Sequence, residues 1–307
     1  MRFSAFLGVV LAAIWVVPSA AQAKINIFAC EPEWAALAKD LTGDAAVITS
    51  ATTGQQDPTK VTVNDKLVAA IRKANLVFCS GEGMESSWLP TLLSKTPNPS
   101  IKTGSSGNLM AADYVIPLDL PAGLITDAGS DDTSATENVG GNPHVHLNPH
   151  NIMLVAEELQ KRLSEIDPDN RTLYDKRYNS FFDHWQDAMD RWEQQAAGLF
   201  GVPVVTEDDS FAYLIDWLGL VHVGSVEANG AHPTDAQLKS LAKEMKRRSA
   251  HVILRTPFGS DSATKRLASE TGARILVMPY TVGGDKDSGD LFALFDRTLD
   301  LLEDLTS

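Results

Sequence analysis

The chain has two cysteines in 307 residues and a single long apolar run, confined to its amino terminus. That run, Ala5 to Val17, is short of the roughly 20 residues that a bilayer-spanning helix needs, and no comparable run follows. Flanked by Arg2 and by Pro18-Ser19-Ala20-Ala21-Gln22-Ala23, with its small-x-small ending, it is predicted to be a cleavable secretory signal over residues 1–23. Lys24 rather than cysteine follows, which argues against a lipid anchor there, and a periplasmic location is expected. Basic residues are also scarce, 26 against 40 acidic, for a formal net charge of −14. Such a surface disfavours nucleic acid and anionic membrane as partners. Two cysteines exclude a multi-disulfide scaffold. Cys30 and Cys79 end the strand-like runs INIFAC and LVFCS, and in an oxidising compartment a disulfide is the first reading, with a thiolate metal pair as the alternative. No phosphate-binding Gly-rich loop, Gly-x-Ser-x-Gly elbow or His-Glu-x-x-His helix occurs, and Ser210 has no neighbouring histidine in sequence, so an enzyme is not expected.

What is present is alternation. Short β-rich runs at 25–30, 45–50, 76–80 and near 114–118 are separated by amphipathic stretches at 32–43, 63–74 and 84–95. The second half repeats the style with VPVVT, LVHVGS, HVILRT and ARILVMP, between helices from Phe211, after Pro233-Thr234, near 261–271 and up to about 305. This pattern predicts an α/β fold of βαβ units, with two lobes that each hold a mainly parallel four-stranded sheet flanked by helices. From Asp167 and Pro168, Tyr174, Tyr178, Phe181, Trp185, Ala188, Trp192, Ala196 and Leu199 recur every three or four residues, predicting one long helix. About 30 residues would span about 45 Å, enough to run along both lobes. The expected organisation is a signal at 1–23, an N-terminal lobe at 24–166, a connecting helix at 167–199 and a C-terminal lobe at 200–307, with separate cores. The segment 123–142, rich in Gly, Asp, Ser and Thr, reads as a surface loop.

Three of the seven histidines fall in GNPHVHLNPHN. His144 and His146, two apart in an extended segment, would face one ion together. His150 follows Asn148-Pro149 and reads as a helix-start residue, and His184 as a solvated helix residue. Glu207-Asp208-Asp209 follows VPVVT, at a strand end where open α/β sheets bind ligands, although Asp208 or Asp209 would also serve as a helix cap.

INIFACEPEWAALAKDLTGD, ATTGQQDPTKV, NLVFCSGEGMESSWLP, GNPHVHLNPHN, VPVVTEDDSFAYLIDWLGL and PYTVGGDKDSGDLFALFD together resemble the zinc/manganese (cluster A-I) solute-binding proteins of bacterial ABC importers. The resemblance implies two α/β lobes joined by a rigid helix, and a metal held between them by three histidines and a carboxylate. His144 matches the family histidine of Pro-His-x-x-x-(Asp/Asn)-Pro. Thr59, after Asp57-Pro58, stands where the first histidine is expected, Asp208 where the third is expected, and Met278 and Pro279 near the late carboxylate. Asp208 would suit a harder ion, and Lys60 would repel a cation. The site is therefore expected to be rewired around His144 and Asp208, with His146, Glu207 and Glu85 as candidate completions. The resemblance implies Zn2+ as ligand, with Mn2+ or another divalent cation as alternatives. It also implies an inner-membrane ABC permease as partner and a monomeric receptor. The rival expectation is a diverged receptor for a metal chelate, an organic solute or a protein partner.

Overall fold

Short runs of β-branched and aromatic residues, each closed by a turn, build two separate parallel sheets. The computed structural model describes residues 23–118, 141–227, 232–259, 261–303 and 305. The predicted signal, save Ala23, and the predicted loop, save Gly141 and Asn142, lie outside them. The first sheet comprises β1 (Ile25–Ala29), β2 (Ala46–Ser50), β3 (Leu76–Cys79) and β4 (Asn108–Met110), in the order β2-β1-β3-β4. The second comprises β5 (Pro203–Thr206), β6 (Val221–Ser225), β7 (Val252–Arg255) and β8 (Arg274–Val277), in the order β6-β5-β7-β8. Every pairing is parallel. In each sheet the order reverses once, between β1 and β3 and between β5 and β7, and at such points the strand ends open a crevice.

Helices cover the sheets: α1 (Pro32–Thr42), α2 (Asp65–Lys73), α3 (Leu89–Ser94), α4 (Pro149–Ile166), α6 (Ala212–Leu218), α7 (Asp235–Arg248), α8 (Asp261–Thr271) and α9 (Leu291–Glu303). Between α4 and α6 runs α5 (Arg171–Ala196), 26 residues and so about 39 Å long. Among the described residues no helix is long and apolar enough to cross a membrane.

Four expectations need correction. The helix predicted at 84–95 is helical only over α3, because Trp88, at φ −137° and ψ −37°, leaves the helical region and Pro90 has no N–H to give back to the preceding turn. The strand predicted near 114–118 is instead β4. Val77 N–H donates to the Gly107 carbonyl and fixes the pairing there, and Pro117 lacks the N–H that a ladder uses. The long helix predicted over 167–199 is present, α5 being extended by 3-10 turns at Pro168–Asn170 and Ala197–Leu199, and only its start needs correction. Asp167 does not cap it, because Asp167 Oδ2 accepts from the Tyr174 hydroxyl (2.5 Å) and from Asn170 Nδ2 (2.7 Å). The two lobes also do not have wholly separate cores. One apolar cluster runs from Ile27 and Trp34 through Trp185 and Trp192 of α5 to Phe295 and Leu302. Only the outer sheet faces pack apart, around Phe28, Val77 and Trp88 in one lobe and Val205, Ile253 and Met245 in the other. The strand period of two explains this split, since Ile25, Ile27 and Ala29 face inward while Phe28 and Cys30 face outward. Cys30 and Cys79, on adjacent strands with Cα atoms 4.8 Å apart, form the expected disulfide.

Candidate metal centre

Loops at the strand ends of the second sheet meet loops of the first in a cleft of about 500 Å3. His144, Asp208, Asp57, Glu227 and Tyr280 line it. His144 is placed by its backbone, whose N–H donates to Asn142 Oδ1 (2.9 Å), while Asn142 Nδ2 donates to the Asp209 carbonyl (2.9 Å). Its Nδ1 lies 2.5 Å from the Tyr280 hydroxyl and its Nε2 lies 4.0 Å from Asp209 Oδ1. The Nδ1 contact with Tyr280 admits either direction, and in the tautomer whose Nδ1–H donates to the Tyr280 oxygen, Nε2 carries the lone pair a metal would take. Burial, and then the neighbouring His146, push the His144 imidazole down to about 3, so the ring is neutral and ready to ligate at any ordinary pH.

Val145–Leu147 is a 3-10 turn rather than an extended segment, so the two histidine rings part around Tyr280. This corrects the expectation that they face one ion. His146 is fully buried beneath the cleft, its Nε2 donating to the Tyr280 carbonyl (2.9 Å). Its Nδ1 faces Glu33 Oε1 at 3.3 Å, and neither atom has a hydrogen-bond partner. Glu33 was not anticipated from the sequence; it lies in the first turn of α1, where an acid ordinarily complements the helix dipole.

The acids divide likewise. Asp208 is half-buried in the cleft and accepts from Ser210 N–H (2.9 Å) through Oδ1, binding its own turn as a cap would. Glu207 lies in the cleft wall, where burial outweighs the nearby Arg255 and pushes its carboxyl up to about 7. Glu85 does not reach the cleft, and this too corrects an expectation. It is buried in the first lobe, accepting from Ser80 N–H (2.8 Å) and Gly81 N–H (3.1 Å). At the position of the missing first histidine, Asp57 Oδ1 accepts from Thr59 N–H (2.9 Å) and the Thr59 hydroxyl (2.6 Å), and Asp57 Oδ2 pairs with Lys60 Nζ (2.9 Å). Burial alone would raise the Asp57 carboxyl, but these partners hold it below its ordinary value. Lys60 is thereby tied to an acid of the cleft rather than left as a free repelling charge. His150 is exposed, 3.3 Å from Glu193, and His184 is exposed on α5, both as expected.

Residues 27–305 match the model of the family described as ZnuA, zinc-uptake complex component A, periplasmic. The chain belongs to the ZnuA family. It is thus a metal-binding substrate-binding protein of the ABC-importer class, not an enzyme. Relatives of the ZnuA family chain include the high-affinity zinc uptake system protein ZnuA of Bacillus subtilis (strain 168), 26% identical over 167 residues, or 53% of this chain and 52% of that protein. The manganese ABC transporter substrate-binding lipoprotein PsaA of Streptococcus mitis is 22% identical over 84% of this chain and 80% of its own length. Among solved structures, the zinc-bound 138-173 deletion mutant of ZnuA superposes with a TM-score of 0.75 at 20% identity, covering 92% of this chain and 98% of that one. The Mn-bound periplasmic metal binding protein of Candidatus Liberibacter asiaticus gives 0.73 at 18%, covering 92% and 100%. At those identities the superpositions establish the fold alone.

The first-lobe acids make one prediction about the metal-free protein. Burial, against the pull of the Ser80 and Gly81 amides, pushes the Glu85 carboxyl from 4.5 up to about 7, and Glu31, buried beside it, stands well above its usual range. The folded chain therefore holds a proton that the unfolded chain releases between pH 4.5 and about 7, so this contribution to stability is present at low pH and is lost as pH rises through that window. Glu85→Gln has no such proton to lose. The melting temperature of the variant relative to the parent is expected to be higher at pH 8 than at pH 5. An offset that does not change with pH would refute the assignment.

Proposed function

We propose that this chain is the periplasmic receptor of an ABC importer, exported by a cleavable signal peptide. It captures a divalent cation, zinc, in the cleft and delivers it to an inner-membrane permease. The observation that supports the ion is the fixed, neutral Nε2 of His144 facing a cleft whose other polar walls are largely carboxylates, with Asp208, Asp57 and Glu227 among them. The His144 imidazole, several oxygens and a second imidazole, His232, in the wall 3.0 Å from Glu227, fit zinc and also admit manganese, and the borderline nitrogen donors favour zinc. Relatives carry both ions in their names, and the Liberibacter protein was solved with manganese and with cadmium bound. The segment after β8 is docked on the first lobe, with Thr281 Oγ1 donating to Glu33 Oε2 and Gln55 Nε2 to the Gly284 carbonyl. With α5 stiffening the junction, release is proposed to work through small lobe and loop adjustments rather than wide closure.

A second reading has one observation in its favour. A cleft of about 500 Å3 is within the size range of small-molecule sites, so a metal chelate or organic solute is the alternative occupant. Calorimetric titration of zinc and of manganese into the chelator-stripped chain from Lys24 to Ser307 tests the first reading. One equivalent of zinc, bound more tightly than manganese, is expected; no binding of either ion would overturn the reading and leave the chelate. Native mass spectrometry of the protein as purified would then show the added organic mass.

A further inference from the structure

The two sheets share one strand order, and in the second sheet the reversal point between β5 and β7 opens into the cleft through Glu207 and Thr256. The matching point in the first sheet, between β1 and β3, is closed. There the strand ends continue into Cys30-Glu31 and Cys79-Ser80, and the disulfide lies beside two buried carboxyl groups. Cys30 Sγ, Cys79 Sγ and a Glu85 carboxylate oxygen all lie within 4.8 Å of one another. Glu31, 1% exposed, hydrogen-bonds to Glu85, and its Oε1 has no partner. Its Oε2 accepts from Ser80 N–H and the Ser80 hydroxyl, both at 3.2 Å. Glu85 already stands against both sulfurs, and the residue after Cys30 carries an orphaned carboxyl oxygen beside Glu85, so the cluster has a fourth donor within reach of a small side-chain rotation.

We propose that Cys30, Cys79, Glu85 and Glu31 form a second, redox-gated site for a zinc-class divalent cation, closed while the disulfide is intact and competent once a dithiol reductant has cleaved it. Two thiolates and two carboxylates are a donor set that tetrahedral zinc accepts; Zn–S bonds of about 2.3 Å put two sulfurs roughly 3.8 Å apart, so the sulfurs must separate once their bond is cleaved, with Glu85 starting within 4.8 Å of both. Cleavage moves two electrons and two protons from the dithiol to the cystine; the dithiol becomes a disulfide and the two cysteines become thiols. The cation then displaces both thiol protons, together with the proton that joins Glu31 to Glu85, as these oxygens turn to the metal. All four side chains are buried, so reductant and ion enter through a local opening of the strand ends. The site is independent of the cleft and stands or falls separately from the function proposed above.

Cobalt(II), a spectroscopic stand-in for zinc, tests this, because only thiolate ligation gives a sulfur-to-cobalt charge-transfer band in the near ultraviolet. The whole mature protein is reduced with dithiothreitol, freed of it anaerobically and titrated with cobalt, with circular dichroism as the check on folding. The expected result is no band in the oxidised protein and, in the reduced one, a band that saturates once a single equivalent has filled this site, which is one equivalent in total in His144→Ala, where the cleft no longer competes. The band should persist in His144→Ala, vanish in the Cys30→Ser, Cys79→Ser double variant, and require roughly tenfold more cobalt in Glu85→Gln. A folded, reduced protein without the band would overturn the proposal. So would a band indifferent to both Glu85→Gln and Glu31→Gln, or loss of the fold on reduction, since no site would then remain.

Discussion

His144→Ala is expected to weaken zinc binding by roughly a hundredfold or more, with the fold and melting temperature of the metal-free protein little changed. Groups that merely orient a metal ligand cost about 10- to 100-fold when removed, so loss of the ligand itself belongs at or beyond the upper end. Three features concentrate the effect on this residue. Its Nδ1 is engaged by Tyr280, which fixes the ring and leaves Nε2 for the ion. Its main chain is clamped through Asn142 to Asp209, so the ring sits at a set height above the acids. Its depressed pKa of about 3 means that protons do not compete with metal for this nitrogen until the solution is strongly acidic. Tyr280→Phe gives the contrast. The ring stays but loses its partner on Nδ1, and a loss of about tenfold is expected. Burial and the surrounding carboxylates hold the Tyr280 hydroxyl protonated, so its role is to orient rather than to ligate. Competition titration against a chromophoric zinc chelator reads both variants. A His144→Ala affinity within threefold of the parent would remove this histidine from the site.

Period and punctuation carried most of the fold. Most of the β-rich runs, the helix start at Pro233-Thr234 and the apolar stripe of α5 are local signals, and each recurs in the structure within a few residues of its expected place. The failures are also local in cause. The non-helical backbone of Trp88 cannot be read from a helical apolar pattern, and β4 depends on a pairing with β3 that an isolated segment does not announce. The site was legible only in part. His144 and Asp208 were visible because motif and strand end each mark them. Tyr280 was not, since it reaches His144 across 136 positions of sequence and lies after a strand expected to yield a carboxylate. The 3-10 turn that sends His146 downward reverses the i, i+2 argument, which holds only for extended backbone. Glu33, whose oxygen meets His146 Nδ1 at 3.3 Å, reads in sequence as an ordinary first-turn helix acid.

Trp185→Ala is expected to be the most destabilising single substitution in α5, at about 3–5 kcal/mol, the usual cost of removing a large buried aromatic ring. The side chain is fully buried and lies among four other rings, with centroids 5.2 Å from Phe181, 5.1 Å from Trp192, 4.9 Å from Phe292 and 5.5 Å from Phe295. Its Nε1 donates to the Pro149 carbonyl (3.0 Å), so one residue joins the start of α4, the middle of α5 and the face of α9. Alanine would leave a cavity that these three helices cannot close without moving. For a chain of this size the loss corresponds to a melting temperature roughly 5–15 °C lower. The shape of the transition matters as much as its position. Because a single apolar cluster runs through α5 into both lobes, loss of Trp185 is felt on both sides of the cleft at once, and one cooperative transition is expected at the lower temperature. Two resolved transitions in scanning calorimetry, with one left where the parent melts, would show that the lobes fold on independent cores. Leu173→Ala, at a 37% exposed position on the same helix, is the control and is expected to shift the melt by a degree or two at most. The receptor function depends on this continuity, since a cleft built from both lobes holds its spacing only if the helix behind it does not yield.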